Sequence, residues 1–510
     1  MSATHQVLLA GGGLGYQITN SLRFRASNSA YLSRTFGSPT SSSIWTFSAW
    51  VKRGLLSSTR YLLGASTTTN FGFNSSDQLT LTLNGVTACT STAVFRDPTA
   101  WMHVVYQQNG SAQTIYVNGS SVATGTTAAA VFNTAIAHQI GAANTTNFSD
   151  GYLANVYFID GQALTPSSFG QTDATTGVWV PKAYSGTYGT NGFFLQFKDA
   201  TSTTTIGYDT SGSSNNFTTS GISVTSGVTF DQMLDTPTLN YSTGNAVFVP
   251  STNFLVDFRA ANLEWGQAAS NKNCSGVASI EMRTGKWYWE TTVGTVAGSI
   301  TFGVSRSDLN SSFRGTGTVY YRQDGQKVVD GVASAYGASY VANDVLGFAY
   351  DADAGTLTCY KNNTSQGTIT ITSGSSYGWF PACALDNAGA GVTAFHTFNF
   401  GQRPFSYTPP SGFKALNTQN VTSTAVTLSG SFTGNAAADG PFIWTNGNPA
   451  TLTINGNGVT FGTDADKTAG GFKLRTSSAS YNAAGTNNWT ATAGNRFVQS
   501  KRPNNGQVNP

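Results

Sequence analysis

The sequence predicts an all-β chain of tandem β-sandwiches, and three observations carry that expectation. Short runs alternate between apolar and polar positions, as where Trp45, Phe47, Ala49 and Val51 interleave with Thr46, Ser48, Trp50 and Lys52, which is the period of a strand with two unlike faces. Turn pairs separate these runs: Asn109-Gly110 and Asn118-Gly119 offer the positive φ that a two-residue hairpin needs. No stretch repeats its apolar residues at the 3.6-residue period of a substantial amphipathic helix. At 510 residues the chain is too long for one core.

Residues 1–20 read as an N-terminal arm. Their Gly11-Gly12-Gly13-Leu14-Gly15 run resembles a phosphate-binding loop, yet such a loop follows a strand and opens a helix, whereas the next segments, 21–24 and 30–35, have strand character. Residues 21–205 form the first folded domain. WTFSAWVKRG at 45–54 is its clearest strand, WMHVVYQQNG, TIYVNG and SVATG follow as a hairpin series, and HQIGAANTTNFSDGYLANVYFIDGQALTP pairs two further strands before a Pro-marked turn. This pattern resembles the concanavalin-like laminin-G family, which implies a curved two-sheet jelly roll. Residues 206–238, with GYDTSGSSNNFTTSG, are rich in Ser, Asn and Gly and read as a linker.

Residues 239–416 hold the most informative stretch: GKWYWE, FGVSR, DVLGFAYDADAGTLTCYKN, WFPACALD and FNFGQRPF in that order. Trp287, Trp289, Thr291 and Val293 share one face of a strand, and Tyr288, Glu290 and Thr292 the other. Asp-Ala-Asp-Ala-Gly, ending at Gly355, closes a hairpin. The five ordered motifs resemble the SPRY family, a recognition scaffold, so the resemblance implies binding by loops at one end of a sandwich. Residues 417–510, with WTNGN, TLTING and a tail from Pro503 to Pro510, read as a small β-rich module.

Composition narrows the function. Charged residues make up 10% of the chain, against about 25% in an ordinary domain, and Gly, Ser, Thr and Asn take their place. The net charge is +3, with no Lys/Arg cluster to track a phosphate backbone, so nucleic acid is not an expected partner. No run approaches the roughly 20 apolar residues of a membrane span, and the apolar run at 7–10 is shorter than a signal-peptide core; membrane insertion is not expected, and synthesis in the cytosol is. Cys89, Cys274, Cys359 and Cys383 form no Cys-x-x-Cys unit and read as reduced, buried thiols.

The residue inventory argues against an enzyme. Glycosidases on concanavalin-like folds need two carboxylates flanking the scissile bond, and the only glutamates, Glu264, Glu281 and Glu290, all lie outside residues 21–205. Asp351 and Asp353 belong to a hairpin turn. His103 and His396 fall inside strand patterns, and no Gly-x-Ser-x-Gly motif accompanies them. No catalytic residue is therefore assigned. The candidate ligand-binding residues are aromatic groups expected in loops, Tyr320, Tyr321 and Trp265, with Arg322 beside them; these resemble the variable binding loops of the SPRY family. The laminin-G resemblance implies that a calcium ion can sit on the Asp/Asn-rich loop at 147–150, with Asn147 and Asp150 as ligands; no other cofactor is expected.

The domain order, with GYQITNSLRFRASNSAYLSRTFG at its head, resembles tail-fibre and appendage proteins of tailed bacteriophages. That resemblance implies a non-enzymatic virion protein on the particle surface, anchored to other virion proteins by its N-terminal arm, assembled as a homotrimer, and contacting a host cell-surface glycan or receptor. A head fibre, decoration or collar protein is the structural alternative, and a polysaccharide depolymerase the catalytic one.

Overall fold

In a computed structural model the residues described are 15–421, except 128–131, 175, 248–255, 268–272, 297, 307–313, 372–377 and 386–392, together with the backbone of the strands between 426 and 500. The fold is all-β, and among the described residues the only helical pieces are three single 3-10 turns. Two compact units divide the chain, residues 1–421 and 422–510.

The first sandwich of the large unit has an eight-stranded sheet ordered Ser120–Thr126, Ala112–Val117, Trp101–Asn109, Ile44–Arg53, Gly151–Asp160, Ser21–Phe24, Gln232–Met233, with Phe193–Leu195 also paired to Gly151–Asp160. Its seven-stranded partner runs Thr218–Ser220, Tyr31–Thr35, Ala137–Ile140, Arg60–Ser66, Thr69–Phe73, Leu79–Leu83, Val86–Thr90. Trp45, Phe47, Ala49 and Val51 all point into the core between these sheets, beside Phe71, Tyr106 and Phe158, as their alternation requires. The expected hairpins at Asn109-Gly110 and Asn118-Gly119 are present, with φ of 63° at Gly110 and 48° at Asn118.

The stretch 206–238, expected as a linker, belongs to this sandwich. Thr218–Ser220 pairs with Tyr31–Thr35 and Gln232–Met233 with Ser21–Phe24, so the stretch adds an edge strand to each sheet. Its Ser, Asn and Asp residues hold tight turns: Asp209 accepts from the backbone N–H groups of Phe194, Ser211 and Asn215 at 2.8–2.9 Å. Ile206, Phe217, Ile222 and Met233 are buried. Asp231 closes the edge through buried ion pairs to Arg23 and Arg25, both at 2.9 Å.

The second sandwich has an eight-stranded sheet, Asp257–Arg259, Glu264–Gln267, Ala394–Asn399, Lys286–Thr292, Val345–Asp351, Thr356–Lys361, Thr364–Thr370, with Lys414–Ala415 added in parallel to Lys286–Thr292. Facing it are six strands, Cys274–Val277, Trp379–Leu385, Ile300–Arg306, Thr318–Arg322, Gln326–Val329, Val332–Ala335. Trp287, Trp289 and Val293 enter the core. On the opposite face the buried carboxylate of Glu290 accepts from the N–H groups of Ser406 and Tyr407 at 2.8 and 2.9 Å.

The first sandwich keeps its own core, while its outer face joins the core of the second. Trp50, Trp101, Tyr152 and Met233 of the first lie in the same continuous cluster as Phe258, Ala261, Trp265 and Trp289 of the second. Tyr152 Oη donates to Ala261 O at 3.0 Å, and Ala261 N donates to Asp150 Oδ1 at 2.8 Å. The described end of the N-terminal arm docks at the same seam: Ile18 is buried and exchanges backbone hydrogen bonds with Thr238 Oγ1 at 3.2 and 2.9 Å. Residues 1–14 of that arm, with most of its glycine run, lie outside the described residues.

Among the described residues the small unit has two four-stranded sheets. One joins Val426–Thr433, Thr486–Ala493, Thr451–Ile454 and Asn457–Gly458, and the other Lys467–Thr468, Gly471–Lys473, Phe442–Thr445 and Phe497–Ser500. The expected tail at 503–510 lies outside the described residues.

Candidate functional site

The outer face of the larger sheet in the first sandwich is divided by a bulge. Along Gly151–Asp160 the pairing with Ile44–Arg53 slips between Ala154 and Tyr157, and Asn155 takes a left-handed φ of 44°. One extra residue reverses the alternation: Leu153 points inward before it and Val156 and Phe158 after it. The outward residues therefore fall into two sets. Tyr152 and Ala154, level with Trp101, Lys52 and Trp50 on neighbouring strands, are covered by the second sandwich. Tyr157 and Ile159 pack instead against the segment 162–198, which sets Phe194 beside Tyr157 on the paired strand Phe193–Leu195 and brings Phe169 into the same cluster. Asn155 Nδ2 marks the division and donates to Tyr16 Oη of the arm at 2.9 Å.

The second set is a tyrosine-rich cluster. Tyr157 stacks on Phe194 with centroids 4.0 Å apart, Phe169 lies 5.2 Å from both Tyr157 and Tyr184, and Tyr188 meets Tyr184 edge-on at 5.3 Å. Tyr157, Phe169 and Phe194 are buried, whereas Tyr116, Tyr184 and Tyr188 are half-buried. The rim carries polar groups: Tyr184 Oη donates to Thr187 O at 2.8 Å, and Gln162 Nε2 donates to Thr187 O at 2.9 Å. Half-buried rings edged by amide and hydroxyl groups form an apolar platform with a polar border. None of these tyrosines was expected from the sequence as a site. The available signal was the run KAYSGTYGTNGFFLQF at 182–197, where two tyrosines stand among small residues.

Beside the cluster, Ser48 Oγ lies 2.8 Å from His103 Nε2, the spacing of a nucleophile and its base. The polarity is reversed. Trp179 Nε1–H donates to His103 Nδ1 at 3.1 Å, so Nδ1 is the acceptor, Nε2 carries the proton, and Ser48 Oγ receives a hydrogen bond instead of losing its own proton. Burial lowers the His103 pKa to about 3, and Ser48 and His103 are both fully buried. The pair is structural.

The residues predicted for binding lie elsewhere and are not brought together. Tyr320 and Tyr321, expected in a loop, sit in the strand Thr318–Arg322, and both are buried. Tyr320 packs on Val277, Val328 and Ala382; Tyr321 donates its hydroxyl to Ala338 O and meets Tyr336 and Tyr340 edge-on at 5.4 and 5.1 Å. Trp265, also expected in an irregular stretch, lies in the strand Glu264–Gln267, stacked 3.8 Å from Phe398, with its Nε1 donating to Asn262 O at 2.9 Å. These three rings are core residues. Arg322 is half-buried and held by Asp324, 2.6 Å away, and by Gln326 Oε1 at 2.7 Å.

Asn147 and Asp150 do not fit a calcium ion. Asn147 is exposed, while Asp150 is buried with its two oxygens accepting from Ala261 N at 2.8 Å and Ala26 N at 3.3 Å. The cavity beside Asp150 has a volume of about 20 Å³ and is lined by Arg53 and Arg60, which leaves room for one water and repels a cation.

A model of the concanavalin A-like lectin/glucanase superfamily matches residues 26–169, and a SPRY-domain model matches residues 286–403. The chain carries a concanavalin A-like domain followed by a SPRY domain. Similar solved structures include the SPRY domain of human HERC1, at 16% identity over 28% of this chain and 91% of that chain, with a TM-score of 0.24. A human SPRY domain is 18% identical over 30% of this chain and 98% of that one, and stonustoxin 15% identical over 31% and 27%, both with TM-scores of 0.24. Tyr184, Tyr188 and Phe194 lie beyond the matched residues of the concanavalin A-like domain, whereas Tyr116, Tyr157 and Phe169 lie within them.

Proposed function

We propose that this protein is a non-catalytic binding protein that takes a neutral saccharide on the tyrosine cluster of its concanavalin A-like domain, and that it serves as a tail fibre or spike by which a bacteriophage attaches to a glycan on the host surface. The cluster of Tyr116, Tyr184 and Tyr188 carries the reading. Rings edged by Gln162 and Thr187 suit the apolar face and hydroxyl rim of a sugar. The low charge of the chain agrees with an uncharged ligand, and the phage resemblance of its opening residues supplies the setting. In that setting the N-terminal arm joins other virion proteins and the chain acts as a homotrimer. A single shallow site with a dissociation constant of about 1 mM yields only about 4 kcal/mol, and linked copies raise avidity by roughly 10² to 10⁴.

The test is adsorption. Purified full-length protein is expected to bind host cells and to compete with phage, and Tyr184→Ala with Tyr188→Ala to weaken cell binding at least tenfold. Full binding by that double variant would remove the tyrosine cluster from the reading. Absence of cell binding by the wild type, with the chain placed on the capsid or collar in a particle density map, would replace attachment with the head-fibre or decoration role. Release of reducing ends from capsule or lipopolysaccharide would replace it with depolymerase activity.

A further inference from the structure

The seam between the two domains contains a side-chain arrangement suited to covalent chemistry. Lys52 Nζ lies 2.8 Å from Asp235 Oδ2, 2.7 Å from Asn240 Oδ1 and 3.1 Å from Tyr241 O. Because a carbonyl bond is about 1.2 Å long, the amine nitrogen is within about 3.9 Å of Asn240 Cγ. The Lys52 and Asp235 side chains are wholly buried. Around them stand Tyr152, its ring 5.7 Å from Nζ, and Trp101, whose Nε1 donates to Asp235 Oδ1 at 2.9 Å. Tyr241 N also donates to Asp235 Oδ1, at 3.3 Å, and Asn240 Nδ2 donates to Thr99 O at 3.0 Å. An amine, a carboxamide and a carboxylic acid thus meet among aromatic side chains, the amine and the acid wholly buried and the carboxamide half-buried.

From this geometry we infer that Lys52 and Asn240 form an intramolecular amide bond, with Asp235 as the proton relay. Burial lowers the Lys52 pKa and raises that of Asp235, and both directions favour the uncharged pair of amine and acid over the ion pair. The ammonium gives one proton to Asp235, and the freed nitrogen lone pair attacks Asn240 Cγ. The new Nζ–Cγ bond forms and the Cγ–Nδ2 bond breaks. The leaving nitrogen, held by the Thr99 carbonyl, departs with its own two hydrogens, one from the amine and the one stored on Asp235. The products are a secondary amide and an ammonium ion, and Asp235 returns to its carboxylate; atoms and charge balance without an oxidant or cofactor. Positioning helps because groups already held in contact need no encounter.

The bond would link residues 188 apart in sequence, fastening the end of the strand Ile44–Arg53 in the concanavalin A-like domain to the start of the segment that leads into the SPRY domain. Intact-mass measurement of the full chain under denaturing conditions is expected to give the sequence mass less one ammonia. Tryptic mapping is expected to give one branched peptide carrying Lys52 and Asn240, with no cleavage after Lys52. Asp235→Ala and Lys52→Arg are each expected to restore the full mass and both linear peptides. A wild-type chain of full mass would overturn the inference. So would an ammonia loss traced by the map to an Asn-Gly pair instead of a branched peptide. The wild-type map decides even where a variant fails to fold.

Discussion

Two halves of one sheet face, on either side of Asn155, have opposite surroundings. Toward Gly151 the outward residues Lys52, Trp50, Trp101 and Tyr152 are sealed beneath the SPRY domain. Toward Asp160, Tyr157 and Ile159 belong to a cluster whose outer tyrosines are half-buried and reach the surface. The strands are the same, and what differs is the phase of alternation and what the following chain lays on top. Similar aromatic residues therefore act as core in one half and as an accessible platform in the other.

The sharpest way to break this contrast is at the sealed half. Trp101→Ala removes a buried indole and the hydrogen bond to Asp235, and a loss of about 3–5 kcal/mol is expected. Because the outer face of the first sandwich is continuous with the core of the second, calorimetry on the full chain should show the two sandwiches melting together, at a lower temperature in the variant. Separate transitions for the two sandwiches would show that the seam does not couple them.

Acid offers a second probe. Burial holds His103 and His396 down at about 3 and His138 at about 4. In each, one ring nitrogen accepts an N–H donor: from Trp179 Nε1, from Gly294 N and from Asn133 N. A folded pKa below the ordinary value of about 6.5 means stability that is complete above pH 6.5 and is lost as pH falls toward the folded pKa, at about 1.4 kcal/mol per pH unit for each ring. Asp150, Asp235 and Glu290, raised by burial, act in the opposite sense. Denaturant titrations between pH 6 and pH 4 should therefore show a flatter loss of stability in His103→Gln than in the wild type. An unchanged slope would mean that His103 does not resist protonation.

At the open half the expected effects on stability are small. Tyr188→Ala is expected to cost about 1 kcal/mol in thermal melts, well below the Trp101 value, while weakening saccharide binding as described above. A loss as large as that of Trp101→Ala would make the cluster core. Smallest of all, Arg322→Ala breaks an ion pair at the surface and is expected to change stability by less than about 1 kcal/mol; a larger loss would show that Arg322 is more than a surface ion pair.

Much of this fold was legible locally. Alternation at 45–52 and 287–293 and the Asn-Gly turns reflect neighbours a few residues apart, and they marked the correct strands and hairpins. Tyr320, Tyr321 and Trp265 were misplaced because Gly-rich flanks have loop composition, and because the partner that buries Trp265, Phe398, is far away in sequence. The segment 206–238 looked like a linker because its strands are only two and three residues long, too short for alternation to register. The tyrosine cluster depends on a bulge that one Asn with positive φ creates, and Lys52 meets Asp235 and Asn240 only once the fold has crossed 183 and 188 residues of chain. Neither the bulge nor the Lys52 contacts leave a local pattern, and the only local trace of the cluster is the pair of tyrosines among small residues at 182–197.

The apolar seam also bears on how such a chain can be inherited. A gene exchange that replaced the SPRY domain alone would strip the cover from Trp50, Trp101 and Tyr152 and leave an aromatic face in water. A workable donor would have to bring its own counterparts of Phe258, Ala261 and Trp265. The two domains are therefore expected to travel as a single hereditary unit, with variation confined to surfaces outside the seam.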